Sequence, residues 1–182
     1  VYGGGALANT KTGNQNGGSF NTVVNLYPGA TIGHDVYGGG RGQKADQTTQ
    51  PVTQAVEAIV YGNVTVYQMG AVLIADYNSE GLATGGRIFG GNNVNGTPKG
   101  HVLVYVEKTV GSSSHSRATN VDGTEVTYDY DLAAVYGGGN QAEYNPNDQN
   151  VFAEVQIEGC DDVSIHSVYG GGNAASTPAT KV

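Results

Sequence analysis

One short motif returns five times along this chain and restricts its fold more than anything else in it. It stands as Val135-Tyr136-Gly137-Gly138-Gly139-Asn140 and again as Val168-Tyr169-Gly170-Gly171-Gly172-Asn173. Two earlier copies, Val1-Tyr2-Gly3-Gly4-Gly5 and Val36-Tyr37-Gly38-Gly39-Gly40, are followed by Ala6 and Arg41, and a looser copy reads Ile88-Phe89-Gly90-Gly91-Asn92-Asn93. Internal repetition of this kind marks a repeat array. Four copies hold three glycines and one holds two, 14 of the 30 in the chain. Each glycine in an ordered element costs roughly 0.5 to 1 kcal/mol relative to alanine, so the set costs about 7 to 14 kcal/mol. A penalty comparable with the whole stability of a domain demands a structural reason. Either the backbone takes positive φ at these glycines, or a second backbone passes too close to leave room for a Cβ.

A β-branched residue followed by an aromatic suits the end of a strand, and the glycines then break it, so each motif reads as strand and corner. If the corners lie above one another, Tyr2, Tyr37, Phe89, Tyr136 and Tyr169 stack as a ladder, and the Val and Ile partners form a second ladder on the opposite strand face. Strand alternation predicts that only one of the two is inside. Asn93, Asn140 and Asn173 close three copies, and an amide ladder is conceivable there. Arg41 and Ala6 interrupt the slot, which favours simple turn asparagines.

Between corners the same order of parts returns. A polar loop runs to Gly18, a strand covers Phe20 to Leu26, Tyr27-Pro28-Gly29 turns, and Ala30 to Val36 leads back into a corner. In the last full unit, Val151 to Glu158 alternates, Gly159 to Asp162 turns and Val163 to Val168 returns. Further strands read at Gly62 to Gln68 and Ala71 to Ala75. The motif spacings are 35, 52, 47 and 33 residues. The expected units are therefore 1–35, 36–87, 88–134, 135–167 and a partial 168–182 in one continuous array. The two long units carry insertions, which repeat proteins place in loops on one face. Those loops fall between Gly42 and Glu57, Asp76 and Gly86, and Gly111 and Gly123. Asp122-Gly123 beside the alternating Glu125 to Tyr130 predicts a small hairpin. The fold expected is all-β: a parallel β-solenoid of about five coils with loop insertions, about 24 Å tall at the usual strand spacing. An antiparallel β-sandwich also suits the strand spacing but gives no reason for identical corners. Because the chain begins inside a motif and ends at the start of another unit, we expect an excerpt of a longer protein, or open ends closed by other copies of itself.

Composition narrows the function classes. A net charge of −8 is the wrong sign for nucleic-acid phosphates or an anionic membrane surface, and no apolar run approaches the roughly 18 residues of a membrane helix. Cys160 is alone, which excludes an internal disulfide and a cysteine-based zinc cage. The best helix candidate, Thr53 to Ala58, is too short to form without tertiary support.

Several residues invite a catalytic or metal reading. His34 and His166 stand two residues before their motif valines, but Gly86 and Ala133 hold that slot in other copies, so both read as exposed turn residues. Asp161 and Asp162, with Glu154 and Glu158 on the preceding strand, are calcium candidates by their oxygen chemistry, although no calcium-binding spacing surrounds them. Asn145-Pro146-Asn147-Asp148 reads as a turn. Gly38 to Lys44 lacks the Ser or Thr of a phosphate loop. Asp129 and Asp131 share one strand face and are the carboxylate pair on which a glycan-cleaving site would rest. No catalytic site is assembled by these patterns, and no cofactor is required beyond the calcium candidate.

The five motif copies resemble the glycine-rich VYGGGN-type repeats of bacterial cell-surface, adhesin-like β-helix proteins, with Ile88 to Asn93 departing furthest. The resemblance implies a secreted or surface-anchored scaffold that displays loops, with glycans or host surface proteins as partners. The leading expectation is a non-enzymatic adhesive repeat. A carbohydrate-active β-helix and a self-assembling extracellular filament subunit are the alternatives.

Overall fold

A computed structural model of the protein describes residues 1–10, 20–109, 116–119, 125–128, 130–148, 150–159 and 162–182, with backbone alone at 116–119 and 125–128. In chain order the strands are β1 (Thr22–Leu26), β2 (Thr31–Ile32), β3 (Val36–Tyr37), β4 (Val64–Met69), β5 (Val72–Leu73), β6 (Arg87–Phe89), β7 (Val102–Lys108), β8 (Ser116–Thr119), β9 (Glu125–Tyr128), β10 (Leu132–Tyr136), β11 (Ala153–Ile157), β12 (Ile165–Tyr169) and β13 (Thr180–Lys181). The protein is all-β, with no helix among the described residues. Thr53 to Ala58 is accordingly extended: Thr53 bridges Asp46 and Val56 bridges Gln43, both antiparallel, because two β-branched side chains pair across a narrow excursion more readily than they start a helix.

Three sheets are parallel throughout. One has the order β1-β4-β7-β11-β13, a second β3-β6-β10-β12, and a third pairs β2 with β5. In each, spatial order equals chain order, so every pass of the chain lays its strands on those of the pass before. The sandwich alternative needs antiparallel partners, which these sheets lack. Among the described residues antiparallel pairing is confined to the β8–β9 hairpin and to isolated bridges in side excursions. The predicted Asp122-Gly123 turn itself lies outside the described residues, as do Cys160, Gly13, Gly17 and Gly18.

Alternation explains the core. In β1, β4 and β7 every second residue is buried, and Val24, Leu26, Val66, Val104, Val106 and Val155 face the valine and isoleucine side of the second sheet: Val36, Ile88 and Val135. Those three are fully buried. The expectation that only one of the two ladders lies inside is overturned for the middle passes, where both are buried. Tyr37 is 4 % exposed, Phe89 0 % and Tyr136 8 %. Each of these three rings is stacked on both sides and clusters with Ala134, while the end rings Tyr2 and Tyr169, stacked on one side only, stay exposed. The excursion after β5 packs beside them, Tyr77 and Ala83 against Ala75 and Ala133. A parallel strand covered on both sides buries consecutive residues, as Arg87–Phe89 and Leu132–Tyr136 do.

The corners resolve the glycine question in favour of close approach. No motif glycine is among those with positive φ, which sit in turns such as Gly29 (86°) and Gly86 (70°). At Gly90 a Cβ would meet the Gly137 carbonyl oxygen at 2.4 Å and Val102 Cγ1 at 2.4 Å. The parallel ladder continues through the corner: Gly38 N donates to Phe89 O (2.8 Å), and Gly90 N donates to Tyr136 O (2.9 Å). One pass of backbone therefore rests on the next where side chains would otherwise hold them apart.

Candidate functional site

The corner motifs place their aromatic residues one above another. Ring centroids are 5.0 Å apart for Tyr2 and Tyr37, 4.9 Å for Tyr37 and Phe89, 4.7 Å for Phe89 and Tyr136, and 4.8 Å for Tyr136 and Tyr169. That interval is the strand spacing itself, so the sheet's hydrogen bonds set the stacking distance. The rings lie within 13° of parallel. Register follows directly, with Val36 opposite Ile88, Ile88 opposite Val135 and Val135 opposite Val168.

Beside the rings runs a ladder of amides, contrary to the simple-turn expectation. Asn173 Nδ2 donates to Asn140 Oδ1 (2.9 Å), Asn140 Nδ2 donates to Asn93 Oδ1 (3.0 Å), and Asn93 Nδ2 donates to the Tyr2 hydroxyl (2.7 Å). Stacking in register lets each amide donate to one neighbour and accept from the other, and the last one reaches past the Arg41 gap to a phenol. The looser copy substitutes Asn92 for a glycine. Its side chain, 1 % exposed, accepts from Gly40 N (3.0 Å) and donates to Ala58 O (2.7 Å), tying a corner to a strand-free segment.

One buried ion pair locks the excursion after β5 to the ladder. Asp35 Oδ1 accepts from Arg87 N (3.0 Å) and Nε (3.1 Å), while Oδ2 accepts from Arg87 Nη2 (2.6 Å) and the Tyr37 hydroxyl (3.1 Å). Arg87 also donates to the carbonyls of Ala83 and Thr84, and its guanidinium lies 5.2 Å from the Phe89 ring centre. Burial, then the Asp35 charge, pushes the Tyr37 phenol up. Removing one partner of such a pair strands the other charge and typically costs about 3 to 5 kcal/mol. Nothing in the local sequence pointed to this pair, since its partners are 52 residues apart. The signal available was the side-by-side position of Asp35 and Arg87 before their motif Val and Ile.

The excursions hold themselves in shape. In 43–56, Asp46 Oδ1 accepts from the Thr48 amide (2.8 Å) and hydroxyl (2.6 Å), which hold its carboxyl below the usual range. In the excursion after β5, Asn78 Oδ1 accepts from the amides of Glu80 (3.0 Å) and Leu82 (2.9 Å). The third is the β8–β9 hairpin.

Among the described residues, the carboxylates considered for calcium or catalysis are each paired separately and are not brought together. Glu158 accepts from the Tyr105 hydroxyl (2.6 Å) and Gln156 Nε2 (2.6 Å); the tyrosine bond holds Glu158 low, and the same bond raises Tyr105 to about 12. Glu154 pairs with Lys181 (2.6 Å) and lies 3.4 Å from His101, Asp162 pairs with Lys108 (3.1 Å), and Asp131 accepts from the Thr109 hydroxyl (2.7 Å). Asp129 and Asp161 lie outside the described residues. His34 is exposed, with Nδ1 3.2 Å from Asp35 Oδ2. His166, also exposed, lies in β12 rather than in a turn, its ring edge against Tyr130. Asp148 Oδ1 accepts from the Asn150 amide (2.9 Å), a side-chain-closed turn that begins where the Asn145 to Asp148 stretch ends. Among the described residues no three His, Cys, Asp or Glu side chains converge in a way that could hold a metal. No family model, curated protein or solved structure matches this chain.

Proposed function

We propose that the chain is a parallel β-solenoid acting as a non-enzymatic adhesive repeat at a bacterial cell surface, with its excursions presenting the binding surface to glycans or host surface proteins. The finer fold reading is supported by three sheets whose strand order follows chain order, with all five corners stacked on one another. One observation carries the functional reading. The recurring residues are consumed in stacking, whereas the differences in length between passes emerge as self-bonded side excursions at 43–56, 76–86 and the β8–β9 hairpin. A scaffold that spends its repeated residues on support and its variable ones on projections is organised for display.

The test is binding of the chain to a glycan array and to immobilised host extracellular-matrix proteins, alongside a trimmed variant. In it, 45–54 and the β8–β9 hairpin are replaced by short Asn-Gly turns, and the exposed side chains of the remaining excursion are changed by Glu80→Ala and Leu82→Asp. The packed residues of 76–86 are kept, because Tyr77 and the Arg87 bonds belong to the body. Binding by the parent and loss in the trimmed, still folded variant is the expected result. Equal binding by both, or none by the parent, defeats the reading.

A further inference from the structure

The outer face of the second sheet carries two rows, the aromatic ladder and, one step before it, Asp35, Arg87, Ala134 and Ser167. The register is explicit for the last three: Arg87 lies opposite Ala134, and Ala134 opposite Ser167. In the earlier passes this row is filled by the Asp35–Arg87 pair. In the later passes the side chains shrink to a methyl and a hydroxymethyl, while the excursion after β5 still stands over them. What the change in size leaves is a hollow of about 310 Å³. Ala133, Ala134 and Ser167 form its floor, Tyr136 and Tyr169 one wall, and Leu82 to Thr84 the other, with Asn78 and Asn173 at the rim.

Resting on the adhesive reading above, we propose that this hollow is a binding subsite for a neutral saccharide unit. Its volume lies at the lower end of small-ligand sites, the scale of one or two sugar rings. Tyr169 is 48 % exposed and Leu82 59 % exposed, so the walls offer an aromatic and an aliphatic surface to the C–H face of a pyranose. Beyond the bonds they already make, Asn78 Nδ2, the second lone pair of Asn173 Oδ1, the Thr84 hydroxyl and the Ser167 hydroxyl, which shares a hydrogen bond with His166 Nδ1 (3.0 Å), offer donors and acceptors for sugar hydroxyls. Charge argues against an acidic ligand. The guanidinium at the end of the hollow is neutralised by Asp35 and donates to the Ala83 and Thr84 carbonyls, and the chain as a whole carries −8.

The experiment is an array of galactose-, N-acetylglucosamine- and fucose-terminated oligosaccharides beside their sialylated and sulfated counterparts, probed with the parent chain and three variants. Ser167→Leu fills the hollow from its floor. Leu82→Asp alters the exposed lip at a side chain 59 % exposed, where a small stability change is expected, and replacing 45–54 by Asn-Gly alters a different excursion. We expect neutral glycans to be bound, with at least a tenfold loss for Ser167→Leu, a several-fold loss for Leu82→Asp and none for the 45–54 replacement. Far-ultraviolet circular dichroism verifies folding, and Leu82→Asp decides the matter alone if Ser167→Leu does not fold. Undiminished binding in the hollow variants overturns the subsite and leaves the adhesive reading standing. A preference for sialylated or sulfated glycans overturns it as well. An array on which the parent binds nothing overturns the subsite together with the glycan branch of the adhesive reading.

Discussion

Gly90 and Gly33 are the same residue put to opposite uses. At Gly90 the space for a Cβ is already occupied by the Gly137 carbonyl oxygen and a Val102 methyl, both at 2.4 Å, and neither belongs to a flexible side-chain end. At Gly33 nothing lies within 4 Å and the backbone is not left-handed. Gly90→Ala is therefore expected to destabilise the fold by about 1 to 3 kcal/mol or more, the ordinary cost of overpacking. Gly33→Ala is expected to be neutral or to stabilise by about 0.4 to 1 kcal/mol, because it removes freedom only from the unfolded chain. Urea midpoints of the two variants check this; similar shifts in both would mean that the corners do not rest on one another.

The aromatic ladder and its surroundings act as an element whose protons are held by burial. Tyr37 and Tyr136 are raised chiefly by desolvation, and so is Tyr144, up to about 12, whose hydroxyl donates to Gly100 O (2.8 Å). A raised folded-state value means that the folded form keeps protons the unfolded form has given up. Stability is thus complete below the ordinary tyrosine value of about 10 and declines as pH rises from there through about 12. Phenolate absorbance should resolve an early class of tyrosines and a late class whose ionisation coincides with loss of β-structure; one class titrating at the ordinary value would contradict this. Much of this element was legible beforehand. Identical corner words require identical surroundings, and the alternation over Phe20 to Leu26 and Val151 to Glu158 anticipated β1 and β11 closely. What was not legible came from partners remote in sequence. Burial of Tyr37 and Phe89 on the face opposite the valine row comes from rings of other passes stacked on both sides, which local alternation cannot foresee, and the Asp35–Arg87 pair spans 52 residues. The amide ladder was underestimated because Arg41 breaks the sequence pattern, whereas in space Asn93 reaches the Tyr2 hydroxyl beyond it. The candidate saccharide hollow was invisible for a related reason: it is the absence of bulk at Ala134 and Ser167, which matters only once Arg87 is known to lie alongside.

At the scale of the whole molecule, the 43–56 projection is separable from the support, whereas 76–86 is packed into it. Replacing 45–54 by Asn-Gly keeps the Gln43–Val56 bridge as the base of a shorter hairpin and touches no strand of the three parallel sheets. The expected change in unfolding free energy is within about 1 kcal/mol. The check is a urea titration followed by circular dichroism; a collapse of the β signal would show that the excursion is part of the stack. The same geometry bears on how the molecule comes to exist. Register partners in successive corners are 33 to 52 residues apart, as between Val135 and Val168 or Val36 and Ile88. Lengthening a pass from the shorter to the longer separation adds only about 0.4 kcal/mol of closure entropy. The first two passes, by contrast, must find each other with no neighbour to guide them, while each later pass anneals onto a finished edge. Folding should then show a slow nucleation step followed by rapid zippering, which makes the earliest meeting of corners, rather than the length of any projection, the event that governs its speed.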